Sequence, residues 1–168
     1  MKTVLSVYLI LLNTYSFSQE SNERTIRDSF TLTMPVGKET FYESHIPSSP
    51  YVVGPKILQL FPGDTVFIEV VQVDGKITDI KSVKENKNPD KTLEITFTQN
   101  LTDNVHSGMM LKVKNPFKKV LSYEAMIRYM KSGKWEETSI MPVKAGLWGY
   151  EMWPDVIISI ALNEWRFM

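Results

Sequence analysis

Residues 60–83, LFPGDTVFIEVVQVDGKITDIKSV, contain the pattern on which the fold prediction depends. Pro62-Gly63-Asp64 is a turn signal, and the run 65–71 after it is rich in β-branched residues, with apolar side chains at both odd and even positions. Such a run predicts an inner strand of a covered sheet. Asp74-Gly75 then interrupts the pattern before the next apolar run, and a two-residue Asp-Gly loop predicts a type I′ hairpin.

Similar short runs, each closed by a turn signal, continue to the end of the chain. Further strands are predicted at 30–34, 57–61, 92–98, 109–113, 120–130, 135–140 and 156–167. Regularly spaced short strands of this kind predict an all-β sandwich or barrel, here with roughly eight or nine strands.

Three of these runs alternate clearly enough to predict which side chains share a face. The alternating sets are Leu93, Ile95 and Phe97; Leu121, Tyr123, Ala125, Ile127 and Tyr129; and Val156, Ile158, Ile160 and Leu162. The side chains of each set are predicted to share one face of their strand.

The first 18 residues have the pattern of a secretory signal peptide. Lys2 precedes an apolar run at 4–12, and the small residues Ser16 and Ser18 stand before Gln19, where cleavage is expected. The run is too short to span a bilayer, which needs about 20 residues. We therefore expect an exported protein, periplasmic or secreted, with a flexible leader at 19–28 and a single domain at 29–168.

Composition excludes several functional classes. The chain has 19 basic and 19 acidic residues, scattered along its length, so no electrostatic footprint for nucleic acid or an anionic membrane is present. It has no cysteine, which favours a bacterial envelope over a eukaryotic secretory route and provides no attachment site for a lipid anchor.

Two short segments resemble known groups of proteins. The ending Ser16-Phe17-Ser18-Gln19 is similar to the signals of small exported β-sandwich proteins of Bacteroidota-type bacteria. Residues 60–66, LFPGDTV, resemble a loop-to-strand step of blue-copper-type and immunoglobulin-like sandwiches, and the run 120–129 resembles paired central strands of immunoglobulin-like domains. These resemblances imply an immunoglobulin-like two-sheet antiparallel sandwich.

Blue-copper chemistry itself requires a thiolate, which this chain lacks. A copper carrier with His and Met ligands is a separate hypothesis, resting on His106, Met109 and Met110, with His45 as the other imidazole. Because Met109 and Met110 are adjacent, a strand would direct them to opposite faces and hinder joint binding of one ion.

The aromatic-rich segment 135–153 is the strongest indication of function. Trp148, Tyr150 and Trp153 lie within six residues around Glu151, and Trp135 precedes them. Exposed aromatic rings would form a recognition surface for a glycan or a protein partner, whereas buried rings would only fill the core. The candidate ligand-binding residues are Trp135, Trp148, Tyr150, Glu151 and Trp153.

An envelope hydrolase is the alternative from another class. His45 and His106 lack a nucleophile motif, so catalysis would depend on carboxylates, of which Glu151 is the first candidate because of its aromatic neighbours. Binding without catalysis is the leading prediction, with no cofactor and no metal.

Overall fold

The computed structural model describes residues 25–168, and this part of the chain is built from strands connected by turns and loops. The signal-peptide prediction lies outside the described residues. In chain order the strands are β1 Ile26–Arg27, β2 Phe30–Pro35, β3 Phe41–Ile46, β4 Ser49–Pro50, β5 Val52–Gly54, β6 Ile57–Leu60, β7 Thr65–Val73, β8 Lys76–Val83, β9 Thr92–Thr102, β10 Val105–Lys114, β11 Leu121–Tyr129, β12 Trp135–Thr138, β13 Trp148–Trp153 and β14 Ile157–Phe167.

Ten of these strands form two antiparallel sheets of five strands each. The first sheet has the order β13-β10-β9-β7-β8, and the second has the order β12-β11-β14-β6-β5. One apolar side of each sheet contributes to a single main core, as expected for two stacked β layers. The prediction of an all-β sandwich is confirmed at this level.

The alternation predicted in the central strands is also confirmed. Leu93, Ile95 and Phe97 are fully buried in the main core, and so are Leu121 and Ile127 of the facing sheet. β7 is an inner strand of its sheet, between β9 and β8. Its Val66, Ile68 and Val70 point into the core, while the apolar residues between them are half-buried on the other face.

The predicted face of the last strand is wrong at its beginning. Ile160 and Leu162 lie in the main core, but Ile158 packs in a second cluster. The pairing of β11 with β14 skips a residue at this point, between the pairs Arg128–Ser159 and Tyr129–Ile157. Because side chains alternate with a period of two, one extra residue moves those before it to the opposite face.

The second cluster shows where the β2–β3 hairpin lies. Leu32 and Met34 of β2 pack with Phe61 and Ile158, so the hairpin covers the outer side of the second sheet near the start of β14. Phe30 stacks edge-on against Phe61, with ring centroids 6.0 Å apart. Because the hairpin covers this side of β14, the strand buries apolar residues on both of its faces.

Two tight turns connect the longest hairpins. Asp74 and Gly75 both have positive φ, 50° and 75°, as the predicted type I′ turn requires. Asp103 and Asn104, with φ of 51° and 60°, form a second turn of the same kind between β9 and β10. The sequence pattern missed this turn, and β9 and β10 are therefore longer than predicted.

Strand β1 lies before residue 29, where the sequence analysis placed the start of the domain. Arg27, assigned above to a flexible leader, lies in β1 and is 5% exposed. Its guanidinium forms an ion pair with Asp64 at 2.7 Å and lies 4.3 Å from the ring centroid of Tyr51. Asp64 lies 37 residues further along the chain, so the polar composition of residues 19–28 did not reveal this ion pair. Within residues 25–168, no helix is long and apolar enough to cross a membrane.

Candidate ligand-binding surface

The five predicted binding residues do not form one cluster. β13 is the edge strand of the first sheet, next to β10, and its alternation sends Trp148 and Tyr150 to one side and Glu151 and Trp153 to the other. Trp135 belongs to β12, in the second sheet. The structure therefore distributes the five residues among three places.

Trp148 and Tyr150 lie on the outer side of the first sheet. Their cross-strand partners in β10 are Lys114 and Lys112, and Met152 pairs with Met110 in the same way. The β10 residues between these partners are in the main core, so the six paired residues face away from it. We call this set, Trp148, Tyr150, Met152, Met110, Lys112 and Lys114, the aromatic face.

Much of the aromatic face is open to solvent. Trp148 is 36% exposed, Tyr150 57% and Met152 66%. The rings of Trp148 and Tyr150 are tilted by 36° with centroids 6.5 Å apart, so they form a short platform along the strand. Adjacent apolar side chains this exposed are typical of an interaction surface more than of core packing.

Two ammonium groups adjoin the platform. Lys112 Nζ lies 5.4 Å and Lys114 Nζ 5.8 Å from the ring centroid of Trp148, within the range of cation–π attraction. Lys114 also donates a hydrogen bond to the carbonyl of Gly146 at 2.7 Å. Neither lysine forms an ion pair with a carboxylate of residues 25–168. The aromatic face thus carries positive charge that no described residue neutralises by direct contact.

Glu151 and Trp153 face the opposite way and hold the loop between β12 and β13. The carboxylate of Glu151 accepts a hydrogen bond from the backbone N–H of Met141 at 2.6 Å. The indole of Trp153 donates to the hydroxyl of Thr138 at 3.0 Å and packs against the main core. Both side chains have structural partners, so they position the surface without lying on it.

The negative charge of Glu151 also acts on Tyr123, a tyrosine buried in the core. Tyr123 is buried, with its ring centroid 4.9 Å from that of Trp165. Burial raises the pKa of the Tyr123 phenol well above its ordinary value, and the carboxylate of Glu151 raises that pKa further. The phenol therefore stays neutral at physiological pH.

The buried amide of Asn115 has a positioning role that the sequence analysis missed. Its Nδ2 donates to the carbonyls of Val143 at 2.9 Å and of Lys119 at 2.8 Å, and its backbone N–H donates to the carbonyl of Leu147. These bonds fix the chain just before Trp148. In the sequence Asn115-Pro116 is only a turn signal, because the partners Val143 and Leu147 lie about thirty residues downstream.

A shallow groove of about 230 Å³ runs beside the aromatic face, between β13 and the loop that precedes it. Met141 and Leu147 line it and are largely exposed. Val143 closes its floor from the core side and lies directly against Gly149. A Cβ at Gly149 would collide with the Val143 side chain, so glycine at this position lets the loop approach the strand.

Trp135 is as exposed as Trp148, at 38%, but it lies elsewhere. It pairs with Arg128, whose neighbours Ile127 and Tyr129 lie in or against the main core. Trp135 and Arg128 therefore share the outer side of the second sheet, away from the aromatic face. This separation makes Trp135 a matched control for Trp148.

The structure places the four residues of the copper hypothesis in different surroundings. Met109 is fully buried in the main core, whereas Met110 belongs to the aromatic face. The ring nitrogens of His106 lie 3.0 Å from the Gln99 amide and 2.9 Å from the carbonyl of Pro154. His45 lies in the β2–β3 hairpin. Residues 25–168 contain no group of three or more His, Cys, Asp or Glu side chains suited to hold a metal ion.

A larger cavity of about 530 Å³ opens at one end of the sandwich, and the sequence analysis did not anticipate it. It is lined by His106, Tyr129, Lys131, Glu136 and Asp155, together with five further residues of neighbouring turns. These residues come from segments well separated in the chain, so no local motif could reveal it. Lys131 and Asp155 neutralise each other there at 3.7 Å.

Comparison with known proteins gives no relative for this chain: no family model, no curated protein and no solved structure matches it.

Proposed function

We propose that this protein is an exported, non-catalytic binding module whose ligand lies across the aromatic face. The observation that carries the proposal is the joint exposure of Trp148, Tyr150 and Met152 on one side of an edge strand. Water contact with these apolar groups costs about 25 cal/mol per Å², and a ligand covering them recovers that free energy.

The surroundings of the aromatic face favour binding over chemistry. The Glu151 carboxylate, which an envelope hydrolase would use, is engaged by the backbone of Met141 and points away from the exposed rings. Copper transport through His106 and Met109 would require both side chains to leave their present partners. We therefore rank binding above hydrolysis and above metal transport.

Export and fold subtype are part of the same proposal. The signal pattern at 1–18 supports a periplasmic or secreted protein. The chain passes repeatedly between the two sheets, and its late strand β11 carries the buried Tyr123, which supports an immunoglobulin-like subtype. A glycan is the ligand class we favour, with a protein partner as the alternative.

Affinity electrophoresis in gels containing defined soluble polysaccharides, neutral and acidic, tests the proposal. We expect at least one polymer to retard the mature protein. The double variant Trp148→Ala/Tyr150→Ala should weaken binding by about tenfold or more, because a sugar ring stacked on an aromatic side chain contributes at least about 1 kcal/mol per aromatic ring.

Trp135→Ala removes an equally exposed indole from the other sheet and is the matched control. We expect it to bind as the parent protein does. Equal loss in Trp135→Ala, or unchanged binding in the Trp148→Ala/Tyr150→Ala double variant, would show that the aromatic face is not the site.

A further inference from the structure

We infer that the aromatic face selects an acidic polysaccharide, one whose sugar rings carry carboxylate groups. This inference rests on the proposed function and adds the charge class of the ligand. It depends on how β10 and β13 are paired, because that pairing places a lysine beside each exposed ring.

The register makes two ring-and-ammonium pairs. Tyr150 lies directly opposite Lys112, and Trp148 directly opposite Lys114. Side chains in such cross-strand positions have Cβ atoms about 4.5–5.5 Å apart. Both ammonium groups lie near the indole of Trp148, so a ligand ring beside this indole has two ammonium groups within reach.

Both ammonium groups retain donors for a ligand. A lysine has three N–H donors. Lys114 uses one of them on the carbonyl of Gly146 at 2.7 Å, and this bond holds its Nζ near the indole of Trp148. Lys112 Nζ lies near the same indole at 5.4 Å and has no carboxylate partner in the described part of the chain. Two ammonium groups near the same indole favour the binding of an anion beside it.

The opposing charge on this side of the sheet is small. Glu94 pairs with Lys114 across β9 and β10, and the residue opposite Lys112 in β9 is the uncharged Thr96. The adjacent groove is lined by both Lys144 and Glu151, whose opposite charges offset each other. With two lysines against the single carboxylate of Glu94 opposite them, the aromatic face carries a net positive charge, although the chain as a whole has a formal charge of zero.

An acidic sugar fits this pattern better than an acidic peptide. A uronic acid carries an apolar ring face and a carboxylate in one unit, so it can cover a ring and reach the neighbouring ammonium together. A neighbouring unit of the polymer can then cover Tyr150 on the same side of β13. An Asp or Glu side chain of a peptide supplies only the charge and leaves the aromatic rings exposed.

The test compares polygalacturonate, alginate and hyaluronate with their fully methyl-esterified forms, which keep the rings and lose the charge. Binding constants are measured by isothermal titration calorimetry at two salt concentrations. We expect one of the acidic polymers to bind about tenfold or more tightly than its ester, and more weakly at high salt, because charge-assisted contacts are lost or screened.

Lys112→Gln/Lys114→Gln should remove this preference, so that the acid form and the ester bind with about equal affinity. The matched control is Lys76→Gln/Lys118→Gln, which removes two exposed lysines outside the aromatic face and should keep the preference. Circular dichroism of each variant confirms that the fold is retained.

The outcomes separate this inference from the proposed function. Equal binding of acid and ester that is lost in Trp148→Ala would overturn the inference and leave glycan binding intact. Binding of poly-glutamate as tight as that of the acidic polysaccharides would overturn it in favour of an acidic peptide. If no polysaccharide of either charge binds, both the inference and glycan recognition are overturned.

Discussion

At the scale of single residues, the buried pair Arg27–Asp64 has the clearest energetic role. The guanidinium donates two hydrogen bonds to the carboxylate, at 2.7 and 3.2 Å, and a third to the carbonyl of Gln59. It lies between the rings of Tyr51 and Phe61. The carboxylate also accepts from the backbone N–H of Phe61, so this one pair connects β1 to the turn that precedes β7.

Arg27→Met should lower the free energy of unfolding by about 3–5 kcal/mol, because it leaves the Asp64 carboxylate buried without its cation. Urea denaturation measures the change. Lys131→Met breaks the exposed pair with Asp155 and serves as the control, with an expected change below about 1 kcal/mol. Similar losses in the two variants would contradict a special role for the buried pair.

The raised pKa of Tyr123 predicts how the free energy of unfolding changes at alkaline pH. Its pKa is raised in the folded state, first by burial and then by the charge of Glu151. Above the unfolded pKa of about 10, the unfolded chain releases this proton and the folded chain retains it. This contribution to stability is therefore present below about pH 10 and is lost as the pH rises further.

In Tyr123→Phe the free energy of unfolding should consequently decrease less between about pH 10 and 11.5 than in the parent protein. Urea midpoints at each pH measure this decrease. Tyr150→Phe, which removes an exposed phenol, is the control and should leave the fall unchanged. An equally steep fall in Tyr123→Phe would show that another group causes the alkaline loss.

At the scale of secondary-structure elements, turn chemistry and bulges determine register. The Asp74-Gly75 turn requires positive φ at both positions, which aligns β7 with β8. Asp103 and Asn104 do the same for β9 and β10, and both residue types tolerate this conformation better than most. The bulge in β14 then divides its apolar residues between two clusters.

Gly75→Ala should lower the free energy of unfolding by about 1–2 kcal/mol, because a Cβ is strained at a φ of 75°. Thermal denaturation provides the measurement. Gly37→Ala is the matched control, since Gly37 has no positive φ and a Cβ there meets only ordinary contacts. Comparable destabilisation by both substitutions would exclude backbone strain at the turn as the cause.

At the scale of the whole molecule, the edge strand β13 leaves an aromatic side exposed to solvent. Asn115, Glu151 and Gly149 together hold the loop that ends at Trp148, so the aromatic face rests on a fixed support. A preformed surface of this kind loses little conformational entropy on binding.

Export is the prediction that concerns the full chain. Expressed with residues 1–168 in a Gram-negative host, the protein should be recovered from the periplasm with Gln19 as its first residue, as determined by mass spectrometry. Leu9→Arg/Leu11→Arg interrupts the apolar run and should keep the unprocessed chain in the cytosol. Recovery of processed protein from this variant would contradict the signal-peptide prediction.

The sequence by itself determined that the domain is all-β, which side chains of the central strands are buried and where Asp74-Gly75 turns, because these features depend on local alternation and backbone preference. It also pointed to Trp148 and Tyr150 by composition. Only the tertiary structure decided which aromatic residues are exposed, since β13 and β12 belong to different sheets and strand alternation turns Glu151 and Trp153 inward. The lysines beside the rings, the burial of Arg27 and the bulge in β14 depend on partners far along the chain, and no local pattern specifies such pairing.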